Sequence, residues 1–151
     1  MHRFNAAVVM CCVGILFGPA LAGEIAKEQA DAKATASTVA GEVVDAACYM
    51  IHPSSATGPN HKACAKACAD RGVPLAIISE SDGKLYFPAG GNKELYDHIG
   101  QRVSATGTIV DKTEPMKLSM PVGDTNTLSV QVDGGYRVIA IQSLSKVPAG
   151  K

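Results

Sequence analysis

Two short apolar runs, 75–78 and 84–87, flank the polar turn Glu80-Ser81-Asp82-Gly83. An Asp-Gly pair between apolar segments supplies the positive φ that a tight hairpin needs. This commits the chain to antiparallel β structure, and other segments must supply strands to cover the hairpin. Residues 41–48 read as a strand, as do 102–110 and 136–144. Gly107 inside the second of these marks a bend or bulge. Asn92 and Gly100 bracket a short helix over 93–99. Residues 117–120 and 127–132 read as a further hairpin around 121–126. Without that hairpin and a helix near 60–70, the order is three strands, a helix and two strands. That is the order of an OB-fold, a small five-stranded Greek-key barrel. The expected fold is therefore mainly β: an OB-like barrel over 39–145, with a helix in its first loop, a helix between strands 3 and 4, and a hairpin inserted before the last strand. Residues 146–151 form a tail. A less regular antiparallel barrel or sandwich would use the same strands.

The helix in the first loop carries the chemistry. Asn60 and Gly72 bound it, with Pro74 just beyond. Inside it, His61, Cys64 and Cys68 are offset by three and seven residues, which places them on one helical face. Cys48, at the end of the first strand, and His52, a loop residue just before Pro53, lie just upstream. Sulfur and imidazole donors suit copper or zinc. The expected metal ligands are Cys48, His61, Cys64 and Cys68, with His52, Met116 and Met120 as weaker candidates. Met116 and Met120 would share a strand face. His98 sits in the last turn of the second helix, where a cation suits the dipole, and reads as structural.

The first 22 residues read as a secretory signal peptide. Arg3 gives a positive start, 6–17 an apolar stretch, and Ala20-Leu21-Ala22 a cleavage site. The stretch is short for a membrane span. Residues 23–38 are Ala-rich, poor in large apolar side chains, and read as a linker. The expected location is periplasmic or secreted, with no stable membrane anchor after cleavage. Cleavage removes Cys11 and Cys12 and leaves three cysteines, an odd number for an exported domain. The 14 basic and 14 acidic residues balance. That balance argues against nucleic acid as a partner and leaves a protein or a small ligand.

The patterns Gly41-x-Val43-x-Asp45-x-x-Cys48-Tyr49, His61-x-x-Cys64-Ala65-x-x-Cys68-x-x-x-Gly72-x-Pro74 and Asp82-Gly83-Lys84-x-Tyr86 resemble a largely uncharacterised group of small secreted bacterial OB-like proteins. The likeness covers about residues 40–143 and implies the fold and export. The Cys64-x3-Cys68 spacing is also similar to that of Sco-type copper chaperones. That second likeness extends to ligand chemistry alone, because the Cys-Pro and the thioredoxin-like element order are missing.

Two further uses of the cysteines stay open. Cys48 could pair with Cys64 or Cys68 and staple the helix to the first strand, leaving a disulfide-bonded binding module. Alternatively, Cys64 near a helix start, beside Lys62 and Lys66, could serve thiol redox chemistry. No catalytic constellation stands out. The chain lacks a Ser-x-x-Lys motif, a Gly-rich phosphate loop followed by Lys, and the Cys-x-x-Cys-His of attached haem.

Overall fold

The computed structural model describes residues 36–122 and 125–148. The expected signal peptide and nearly all of the expected linker lie outside these residues. Seven strands are described: β1 (Ala36–Asp45), β2 (Leu75–Ser79), β3 (Leu85–Pro88), β4 (Arg102–Lys112), β5 (Met116–Val122), β6 (Asn126–Val132) and β7 (Tyr136–Lys146). Two α-helices, α1 (Ala46–Ile51) and α2 (Lys62–Asp70), follow one another between β1 and β2. The chain is mainly β, as the turn pattern predicts. β1 takes in the last three residues of the expected linker, and β7 runs one residue into the expected tail.

Five strands hydrogen-bond in the closed order β1-β2-β3-β7-β4, and β5 with β6 forms a separate hairpin. The closure is uneven, and the sheet is mixed rather than a regular barrel. β4 and β7 are paired along almost their whole length, whereas β3 and β7 run parallel over three register pairs and β2 meets β3 over two. The expected irregularity at Gly107 is present: the β4–β7 register shifts between Thr106 and Gly107. A Cβ on Gly107 would lie 2.1 Å from the Ala140 carbonyl oxygen, so the bulge requires glycine.

Period-two alternation turns Val39 and Val43 of β1, Leu75 and Ile77 of β2, Val103 and Ala105 of β4 and Ile139 of β7 inward. Each fully buried side chain of the Val, Leu or Ile type contributes about 1.5–3 kcal/mol relative to exposure. Ala65 and Ala69 of α2 join this core, one turn apart on the same helix face. A second cluster lies on the opposite face of β2 and β3, where α1 and β5 cover it. Ala46 of α1, Ala76 of β2, Phe87 of β3 and Leu118 of β5 pack together, with Met50 and Met116 against them. It seats α1 and the inserted hairpin on one another.

Three local expectations are corrected. The strand read through 41–48 stops at Asp45, whose side chain caps α1, so Cys48 belongs to a helix and not to a strand end. The helix expected over 93–99 is two 3-10 turns, Asn92–Glu94 and Tyr96–His98. Asn92 does not cap it: its amide oxygen accepts from Leu75 N–H at 2.8 Å, and its amide nitrogen donates to the Val73 carbonyl at 2.7 Å. Asn60 makes no cap on α2 either, which is entered through the 3-10 turn Pro59–His61. Gly72 does end that helix. It takes φ +90°, and Val73 N–H returns to the Cys68 carbonyl at 3.0 Å.

Candidate metal centre

Asp45 organises the site. It is fully buried, and a buried carboxylate must find partners for both oxygens. Oδ1 accepts from Cys48 N–H at 2.8 Å, the bond that starts α1. Oδ2 lies 2.9 Å from His61 Nε2 on the turn leading into α2. One carboxylate therefore sets the first turn of α1 and ties the start of α2 to it.

With both helices so fixed, Cys48 of α1 meets Cys64 and Cys68 of α2. The three Sγ atoms all lie within 4.8 Å of one another. Cys64 is exposed, while Cys48 and Cys68 are half-buried. All three are free thiols, so the staple expected between Cys48 and α2 is not formed. A disulfide needs an S–S length of about 2.0 Å. The other end of α2 is held elsewhere. The Lys66 ammonium sits 4.9 Å from the centre of the Tyr96 ring, and Tyr96 O–H donates to Asp70 at 2.6 Å.

The electrostatics oppose free thiolates. Burial pushes the Cys48 thiol well above its ordinary value, and the Asp45 carboxylate beside it pushes further. Burial raises Cys68 too, with Asp45 and Cys64 adding to it. Ionised sulfur here would lie beside the buried Asp45 carboxylate. A cation among the sulfurs offsets part of that repulsion and favours their ionised form.

Asp45, Cys48 and His61 make a second close group, again with donor atoms within 4.8 Å. Here the donors are already committed to each other. For His61 to ligate through Nε2, it would have to release Asp45. His52 ends α1 as an exposed residue in neither group. His98 lies in the turn Tyr96–His98 and joins neither. Met120 does approach, with Sδ 3.9 Å from Cys48 Sγ, whereas Met116 packs into the cluster around Leu118.

Sequence reading missed Asp45. Its signal was available, because Asp before Ala46-Ala47-Cys48 is a favoured helix N-cap. A cavity of about 590 Å³ adjoins the other side chains of α1. It is lined by Tyr49 and Met50 together with Lys84, Phe87, Tyr136 and Arg137. The Phe87 and Tyr136 rings meet edge to face at 6.0 Å. Among the described residues, no helix is long and apolar enough to cross a membrane. Compared with protein-family models, curated proteins and solved structures, the chain matches none.

Proposed function

We propose that this chain is a small exported metal-binding protein that holds copper or zinc through Cys48, Cys64 and Cys68, with His61 and Asp45 beside them. The observation that carries the reading is the sulfur triangle, built by two helices that one buried carboxylate holds in register. Thiolate sulfur suits both metals. The metal offsets part of the charge of the three sulfurs, and Asp45 orients the elements that present them. Export rests on residues 1–22, and with it kinship to the small secreted bacterial proteins that the cysteine pattern resembles. The strand order β1-β2-β3-β7-β4, with β3 and β7 parallel, supports an OB-type barrel. In that frame α1 and α2 occupy the loop between the first two strands, and β5–β6 the loop before the last.

Native mass spectrometry with a free-thiol count tests this on protein exported to an oxidising compartment. A metal adduct lost on alkylation, and absent from Cys64→Ser/Cys68→Ser, is the expected result. One disulfide, one free thiol and no metal would overturn it. The thiol-redox reading is weaker, because Cys64 would need Cys48 or Cys68 as its partner thiol, and burial raises both where reactive cysteines are lowered. The binding-module reading keeps one observation in its favour. The cavity beside α1 has the volume and the mixed aromatic and cationic lining of a small-ligand site.

A further inference from the structure

The metal reading leaves the ion and its remaining donor open. Met120 bears on both. Its sulfur lies 3.9 Å from Cys48 Sγ although 72 positions separate the two residues. Nothing local brings them together. The inserted hairpin does so, because Leu118, two residues earlier on the same face of β5, is buried against Ala46 of α1 and Phe87 of β3.

We infer that the site is built for monovalent copper, with Cys48, Cys64 and Cys68 as thiolates and Met120 as a thioether donor from the hairpin. The inference rests on the metal reading above and narrows it. Its first support is dimensional. An ion about 2.3 Å from each sulfur holds those sulfurs about 4 Å apart. The Cys48–Met120 separation already has that value, and the three thiols lie within 4.8 Å. The three thiols and the Cys48–Met120 pair are therefore already near the spacing an ion needs.

The second support is the donor set. Thiolate and thioether together select Cu(I), whereas zinc sites take thiolate, imidazole and carboxylate. The harder donors nearby are committed. Asp45 spends one oxygen on Cys48 N–H and the other on His61 Nε2. Sulfur is what remains. The third support is access. Cys64 is exposed, so an ion can enter without the barrel opening. On binding, each thiol exchanges its S–H bond for an S–Cu bond and its proton passes to the buffer. Copper stays monovalent throughout.

The test uses the chain without its first 22 residues, kept anaerobic and reduced. Cu(I) is titrated against bicinchoninate as a competing chelator, and Zn(II) is titrated in parallel. The wild type should bind one Cu(I). Met120→Leu should weaken Cu(I) by about tenfold or more and leave Zn(II) unchanged. Met116→Leu, in the packed cluster, should alter neither. Equal Cu(I) affinity in Met120→Leu and wild type would overturn the inference while leaving a metal site. Zn(II) binding without Cu(I) would do the same. If neither ion binds, the metal reading itself fails, and this inference with it. Should Met120→Leu fail to fold, selenomethionine-labelled wild type decides the matter. X-ray absorption at the selenium edge should show a selenium–copper vector, and its absence would count against Met120 as a donor.

Discussion

Asp45 does two jobs that can be separated by substitution. Asp45→Ala removes a helix cap, which costs about 1–2 kcal/mol, and also strips His61 of its partner. Asp45→Asn keeps an oxygen that can accept from Cys48 N–H. Urea midpoints should therefore fall clearly for the alanine variant and by less for the asparagine one. Equal losses would mean that the cap is not what Asp45 contributes. The thiols give a second prediction at this scale. Cys48 and Cys68 are raised, so without metal they hold their protons at neutral pH. Metal must displace those protons, and apparent affinity should rise with pH by about tenfold per unit for each proton released. Competition titrations at pH 6 and pH 8 check this, and a flat profile would contradict it.

Between elements, the turn from β2 to β3 is tied to β7 through Asp82. Burial works against its ionisation. The opposing hydrogen bonds prevail and hold it down at about 2: from Ser79, from Lys84 N–H, from Tyr86 O–H and from Arg137. Tyr86 O–H donates to it at 3.0 Å, and Arg137 reaches across from β7 to bond Asp111 as well, at 2.9 Å. A carboxyl whose folded value is depressed stabilises the fold above its ordinary value of 3.8 and loses that contribution as pH falls towards 2. Thermal melts of the wild type should show this loss between about pH 4 and pH 2. Asp82→Asn should remove that segment of the profile and lower stability at neutral pH. The contribution is modest because the side chain stays partly solvated. This network also braces the short β3–β7 pairing, where the sheet has few hydrogen bonds of its own.

Across the whole molecule, the proposed ion joins three separate additions to the five-stranded sheet: α1, α2 and the β5–β6 hairpin. Only the folded chain brings their sulfurs together. Metal should therefore stabilise by about 2.7 kcal/mol at a free concentration one hundred times Kd, which for a domain of this size raises Tm by on the order of 10 °C. Scanning fluorimetry with and without a chelator measures it. Cys64→Ser/Cys68→Ser should show no metal-dependent shift, and an equal shift in that variant would place the ion elsewhere.

Much was legible in the residues alone, for local reasons. The hairpin at Asp82-Gly83 and the stop at Gly72 follow from the positive φ that glycine takes most easily, and the bulge at Gly107 from a close approach that leaves no room for a Cβ. The shared face of Cys64 and Cys68 follows from helical period. What escaped was set by side chains with more than one possible partner. Asn92 looked like a helix cap but bonds to Val73 and Leu75, and the helix it should have started became two 3-10 turns. Asp45 looked like part of a strand, yet it ends that strand and starts α1. The sequence by itself determined a β-rich chain with a cysteine-bearing helix near its first strand. Only the tertiary structure decided that Cys48 faces that helix as a free thiol, that Asp45 links both helices, and that Met120 arrives from the hairpin. Such pairings depend on which surfaces pack, and packing is decided by the whole core at once rather than by spacing along the chain.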